Sequence, residues 1–173
     1  MRRIFESSGA ASAQGRRLGW AVVLLVLLAD QASKWWVLEM LHLEEGKSIV
    51  LLPVFNLTFV WNQGISLGLL QQESALGRLV LIALTGLVTI YLAVWLMRSG
   101  RRLTAIALGL IIGGALGNLV DRIRFGAVAD FLHFHALGHS FYIFNLADAA
   151  ISTGVAVLIL DAVLGPTPPA RPK

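Results

Sequence analysis

Two aspartates stand apart from the other acids of this 173-residue chain. Asp130 lies in "AVADFLHF" and Asp148 in "FNLADAAI", and no Lys or Arg occurs within five residues of either. Their neighbours are small, apolar or aromatic, and each is preceded by Ala, which reads as leaving room for something to approach. A carboxylate beside an apolar run is costly, about 2.5–3.5 kcal/mol near the centre of a membrane helix. Two carboxylates about 3 Å apart cannot both ionise and share one proton. Such a pair can take a proton from water and give one to a leaving group, with no metal and no cofactor. Asn145 is a favoured N-cap, and Asp148 falls in the first helical turn, where the dipole favours a negative charge. Asp148 is therefore expected to ionise more readily, with Asp130 holding the shared proton.

The other acids have simpler readings. Asp30 and Lys34 are spaced to pair on one helix face, either as a structural ion pair or as substrate contacts. Asp121 has Arg122 and Arg124 as sequence-local counter-charges and reads as fixing a helix end. Asp161 reads as a solvated helix end. His133, His135 and His139 are close enough to suggest a metal site, although the aromatic setting suits ordinary interfacial histidines. Serine chemistry at Ser33 with Lys34, or at Ser66, is a further reading. The chain has no cysteine, which removes disulfides, thiol catalysis and Cys-based metal centres.

The elements that must carry these residues are membrane helices. Charged residues are 14% of the chain and hydrophobic residues 57%, against about 25% charged in a soluble domain. Four apolar runs, about 18–41, 79–97, 103–120 and 145–164, each approach the ~20 residues needed to cross a bilayer. The first resembles a cleavable signal peptide in outline, but its internal charges and the three later spans favour a retained helix. Arg2, Arg3, Arg16 and Arg17, then Arg98, Arg101 and Arg102, then Arg171 and Lys173 mark one side, so both termini are expected to be cytoplasmic. The net charge of +4 follows this membrane pattern rather than a nucleic-acid surface.

Between the spans, residues 49–70 read as two or three short strands, residues 126–144 as an interfacial segment, and the Pro-rich end as an unstructured tail. Gly109, Gly113, Gly114 and Gly117 read as close helix packing. The expected organisation is an N-terminal segment 1–17, a membrane domain 18–164 with an outer sheet at about 42–75, and a tail 165–173. A proton-coupled transporter using the same carboxylates is the alternative function.

The blocks "DQASK" (30–34), "WNQGISLG" (61–68), "GNLVDRIRFGAVADFLHF" (117–134) and "FNLADAAIS" (144–152) resemble the lipoprotein signal peptidases, or signal peptidase II. The resemblance covers about residues 18–164. It implies a mainly α polytopic protein of the bacterial inner membrane, with four transmembrane helices, a small periplasmic β-cradle and a short periplasmic helix. It implies an aspartic endopeptidase that cuts diacylglyceryl-modified prolipoproteins before the lipidated cysteine, works among membrane lipids and is inhibited by globomycin. By motif, the catalytic residues are Asp130 and Asp148. Substrate contact or site support falls to Asp30, Lys34, Asn62, Gly64, Asn118, Asp121, Arg122 and Asn145. The chain departs from the family at Ile65-Ser66-Leu67, where Ala-Ala-Phe is usual, and at Ala149, where Ser often follows the aspartate.

Overall fold

The computed structural model describes residues 2–64, 75–136 and 139–164, with side chains described at 13–64, 76–136 and 140–163. The Ile65-Ser66-Leu67 departure, the side chain of His139 and the tail lie outside these residues. Four helices run α1 (Arg2–Trp35), α2 (Ala75–Arg98), α3 (Arg102–Arg124) and α4 (Leu146–Leu164). All four contain a stretch long and apolar enough to span a bilayer. Helix α1 starts well before residue 18 and continues through a wider-wound turn, Trp36–Met40.

Helix α3 is the hub, with buried residues from Thr104 to Asp121, while α1, α2 and α4 present Leu24, Leu28, Leu84, Leu87, Ile159 and Val163 outward. That outward apolar surface is what lipid solvates. Small residues let the hub approach its neighbours. A Cβ on Gly109 would lie 2.5 Å from the carbonyl oxygen of Gly19 on α1. One on Gly114 would collide with the carbonyl of Ala147 on α4, and one on Gly154 would lie 2.7 Å from the Ala107 carbonyl. The packing expected of these glycines is therefore present on both sides of α3.

Four strands form one antiparallel sheet in the order β1 (Ser48–Leu52), β2 (Phe55–Asn62), β3 (Val128–Ala136), β4 (His139–Phe144). The sheet is thus wider than 42–75. Residues 126–144, expected as an interfacial segment, supply half of it. Strand β3 opens with four consecutive buried residues, so it lacks the alternation by which a strand is read from sequence. Val37 in the wider-wound turn and Leu43 just beyond it pack with Leu57, Phe59, Ala129 and Phe131, which seats the sheet on the bundle. Among the described residues no separate short helix accompanies the sheet.

Gly126 makes the passage from α3 to β3. Its φ of +81° is a left-handed conformation that glycine adopts without strain. The amides of Phe125 and Gly126 close the helix on Asp121 and Arg122 carbonyls, at 2.7 and 3.2 Å. The chain then enters the sheet at once, bringing Asp130 back over the end of α3.

Candidate active site

Asp130 is 1% exposed and Asp148 partly buried, one on β3 and the other in the first turn of α4. Asn145 joins them. Its Nδ2 donates to Oδ1 of Asp130 at 2.6 Å, and its backbone N–H donates to Oδ2 of Asp148 at 3.3 Å. The same side chain caps α4, its Oδ1 accepting the Asp148 amide at 3.0 Å. Together these bonds form a reciprocal capping box, as the N-cap reading anticipates.

The two remaining carboxylate oxygens are held the same way. Asn62 Nδ2 donates to Asp130 Oδ2 at 2.8 Å, and Asn118 Nδ2 to Asp148 Oδ1 at 2.8 Å. Each oxygen of the pair therefore accepts an N–H from an asparagine. Neutral amides orient carboxylates without the full counter-charge that would force both to ionise.

Every one of these asparagines has its amide orientation set by an obligate donor. The Gly64 N–H points at Asn62 Oδ1 from 2.9 Å, the Asp148 N–H at Asn145 Oδ1, and the Lys34 ammonium at Asn118 Oδ1 from 3.1 Å. Burial raises the Asp130 carboxyl to about 6, and the nearby charge of Asp148 pushes the same way against the Asn62 and Asn145 hydrogen bonds.

Beneath the pair lies a buried ion cluster. Lys34, 3% exposed, spends all three ammonium hydrogens on Asp30 Oδ2 at 2.8 Å, Asp121 Oδ2 at 2.8 Å and Asn118. The Asp30–Lys34 pair expected on α1 is present, but the cation facing Asp121 is Lys34 rather than Arg122 or Arg124. Helix geometry explains the correction, since α3 points Asp121 inward at α1 while Arg124 is exposed. Asp30 Oδ1 accepts the Ala147 amide at 3.0 Å, and Asp121 Oδ2 accepts the Ala129 amide at 3.2 Å. Each of Asp130 and Asp148 is thus preceded by an alanine pinned to one arm of the cluster. Both alanines are fully buried, so they leave room for protein packing rather than for an approaching ligand.

Arg122 donates to the Asn118 carbonyl at 3.3 Å and feels the charges of Asp148, Asp130 and Asp121. Its buried Nε has no hydrogen-bond partner among the described residues. Gln31, inside the "DQASK" block yet not among the expected site residues, donates to Asp121 Oδ1 at 3.0 Å and Asp30 Oδ2 at 3.2 Å. Gly117 is required here, because a Cβ would strike the Asp30 carboxylate.

The remaining candidates stand apart. Asp161, at the far end of the bundle, is 5% exposed. It pairs with Arg101 at 2.6 Å and accepts from Thr104 Oγ1 at 2.6 Å. It is a clamp between α3 and α4, not a solvated helix end. His133 engages Thr58 Oγ1 at 2.9 Å and Ser140 Oγ at 2.6 Å through its two ring nitrogens, an arrangement of sheet cross-links. Ser33 donates to the Asp30 carbonyl at 2.7 Å, and the committed ammonium of Lys34 is not poised as its base. Ser66 lies outside the described residues.

Two cavities open onto the pair. One of about 490 Å³ is lined by Tyr142, Phe144, Asp148, Ala149, Ser152 and Thr153. The other, about 500 Å³, runs past Trp61, Asn62, Gly64, Asp130, Phe141 and Tyr142.

A four-span bundle carrying a small sheet, with two carboxylates joined at one bundle end, has the make-up of a membrane aspartic peptidase. The chain belongs to the signal peptidase II family, whose model, described as "Signal peptidase (SPase) II", matches residues 22–164. It is 50% identical over 147 residues to a lipoprotein signal peptidase of Beijerinckia indica, covering 85% of this chain and 88% of that one. It is also 50% identical over 152 residues to one of Methylorubrum extorquens, covering 88% of each. A solved bacterial membrane enzyme structure superposes with a TM-score of 0.73 at 27% identity, covering 90% of this chain and 92% of the other. A second gives 0.74 at 28% identity over 86% and 94%.

Proposed function

We propose that Asp130 and Asp148 are the catalytic pair with which this chain, an aspartic endopeptidase, removes signal peptides from prolipoproteins. The observation that carries the assignment is the bridging of both carboxylates by Asn145. With Asp130 protonated and Asp148 ionised, the pair holds a water between them. Asp148 takes a proton from the water as its oxygen bonds to the scissile carbonyl carbon, while Asp130 gives its proton to the carbonyl oxygen. The resulting diol collapses when Asp148 gives its proton to the leaving nitrogen, the C–N bond breaks, and one diol hydroxyl returns its proton to Asp130 as the carboxylic acid forms. Apolar surroundings strengthen each of these interactions.

The Asp30–Lys34–Asp121 cluster and Asn118 support the pair from below. Asn62, Gly64 and Arg122 border the peptide. Diacylglyceryl chains of the substrate reach the pair from lipid through the apolar side of α4, and cleavage falls before the lipidated cysteine. The Arg-rich ends supply the orientation: both termini cytoplasmic in a bacterial inner membrane, and the sheet and pair at the periplasmic face. The transporter reading is not favoured. Asp30, Asp121, Asp130 and Asp148 gather at one end of the bundle, while Asp161 lies at the other, paired with Arg101.

The test is a gel-shift assay on a diacylated prolipoprotein with purified protein in detergent, with and without globomycin. Cleavage is expected without a gradient and in the presence of a chelator, and globomycin is expected to block it. Asp130→Asn and Asp148→Asn should each accumulate as inserted protein and cleave nothing. Normal processing by either variant removes the pair.

A further inference from the structure

Tyr142 on β4 belongs to no motif in the sequence, yet it is the one described residue that lines both cavities. Asp148 lines the first and Asp130 the second, so a peptide lying across both carboxylates must pass the Tyr142 ring. The side chain is 71% exposed, and its hydroxyl oxygen lies 3.2 Å from Asn62 Nδ2. Asn62 Oδ1 is committed to the Gly64 amide, so its Nδ2 supplies one hydrogen to Asp130 and the other to Tyr142. The tyrosine oxygen is therefore the acceptor in that bond. Its own hydrogen meets no acceptor among the described residues and is free to be donated into the cavities.

We propose that the Tyr142 hydroxyl donates a hydrogen bond to the scissile carbonyl oxygen of the substrate, making it a third catalytic residue beside the pair. This rests on the assignment of Asp130 and Asp148. In the transition state, before the Asp130 proton has fully transferred, partial negative charge builds on that oxygen, and a donor already oriented by Asn62 stabilises it at little reorganisation cost. Loss of one such donor lowers turnover by about 10²–10³ where the donor is fully enclosed. At this more open position the expected loss is at least about tenfold.

The experiment is steady-state cleavage of a diacylated prolipoprotein by Tyr142→Phe across pH, with melting temperature measured alongside. Exposure of the ring means that Phe should leave the fold intact. The expected result is a kcat at least about tenfold lower on the pH plateau, an almost unchanged KM, an unshifted profile and wild-type melting. Turnover within about twofold of wild type overturns the proposal. So does a displaced pH profile with the plateau kept, which would mean that Tyr142 only steadies Asn62. Asp130→Asn and Asp148→Asn run in parallel separate the two readings: if they are active, the pair itself fails; if they are inactive and Tyr142→Phe is normal, only this inference fails.

Discussion

The side-chain nitrogen of Asn145 stands 2.6 Å from Oδ1 of Asp130, a residue on a different element and fifteen positions earlier. Asn145 also caps α4, so its removal has two separable effects. Asn145→Ala should lose the cap, at about 1 kcal/mol, together with activity. Asn145→Ser keeps a capping oxygen but not the Nδ2 donor. It should recover most of the melting temperature and little of the cleavage rate. Recovery of both would mean that the cap alone matters.

Protonation of Asp130 gives a stability signature with a fixed sign. Its carboxyl stands at about 6 in the folded protein against 3.8 for the free group. Between those values the folded chain binds a proton that the unfolded chain has released. Stability therefore falls as pH rises from about 4 and levels off above about 6. Melting in detergent from pH 4 to 7 should show this slope, and Asp130→Asn should flatten it.

Asn62 donates to the ionised form of Asp130 and opposes the rise. Asn62→Ala should therefore move the alkaline limb of kcat/KM to higher pH. The limb reports the pair jointly rather than either residue alone. An unmoved limb in a still-active variant would remove Asn62 from control of the proton.

Lys34 balances two buried carboxylates from its own helix and from α3. Lys34→Met leaves both uncompensated and should cost about 3–5 kcal/mol, seen as loss of membrane-inserted protein. Adding Asp121→Asn removes one of the stranded charges, so the double variant should accumulate better than Lys34→Met alone. Equal yields would show that the cluster is not electrostatically coupled.

Gly117 admits no side chain because of the Asp30 carboxylate, whereas a Cβ on Gly86 of α2 meets nothing within 4 Å. Gly117→Ala should lower the melting temperature and the cleavage rate together, at about 1–3 kcal/mol. Gly86→Ala should lower neither.

Much of this protein is written locally in its chain. Runs of apolar residues of bilayer length determine the four spans, because the hydrocarbon core admits little else. The Asn145–Asp148 cap is a four-residue event and equally legible. Asp130 and Asp148 stand out because no cation lies near them in sequence. Other features depend on distant segments meeting. Asp121 takes Lys34 and not its adjacent arginines, because helical rotation points it at α1. Asp161 is buried because Thr104 of α3 and Arg101 just before that helix cover it. Strand β3, buried from its first residue, shows no alternation, and so half the sheet is invisible until β2 pairs with it. Tyr142 reads as one more interfacial aromatic until folding sets its hydroxyl against Asn62. Charge and hydrogen bonding act over a few ångströms, and only the tertiary fold decides which residues come within that range.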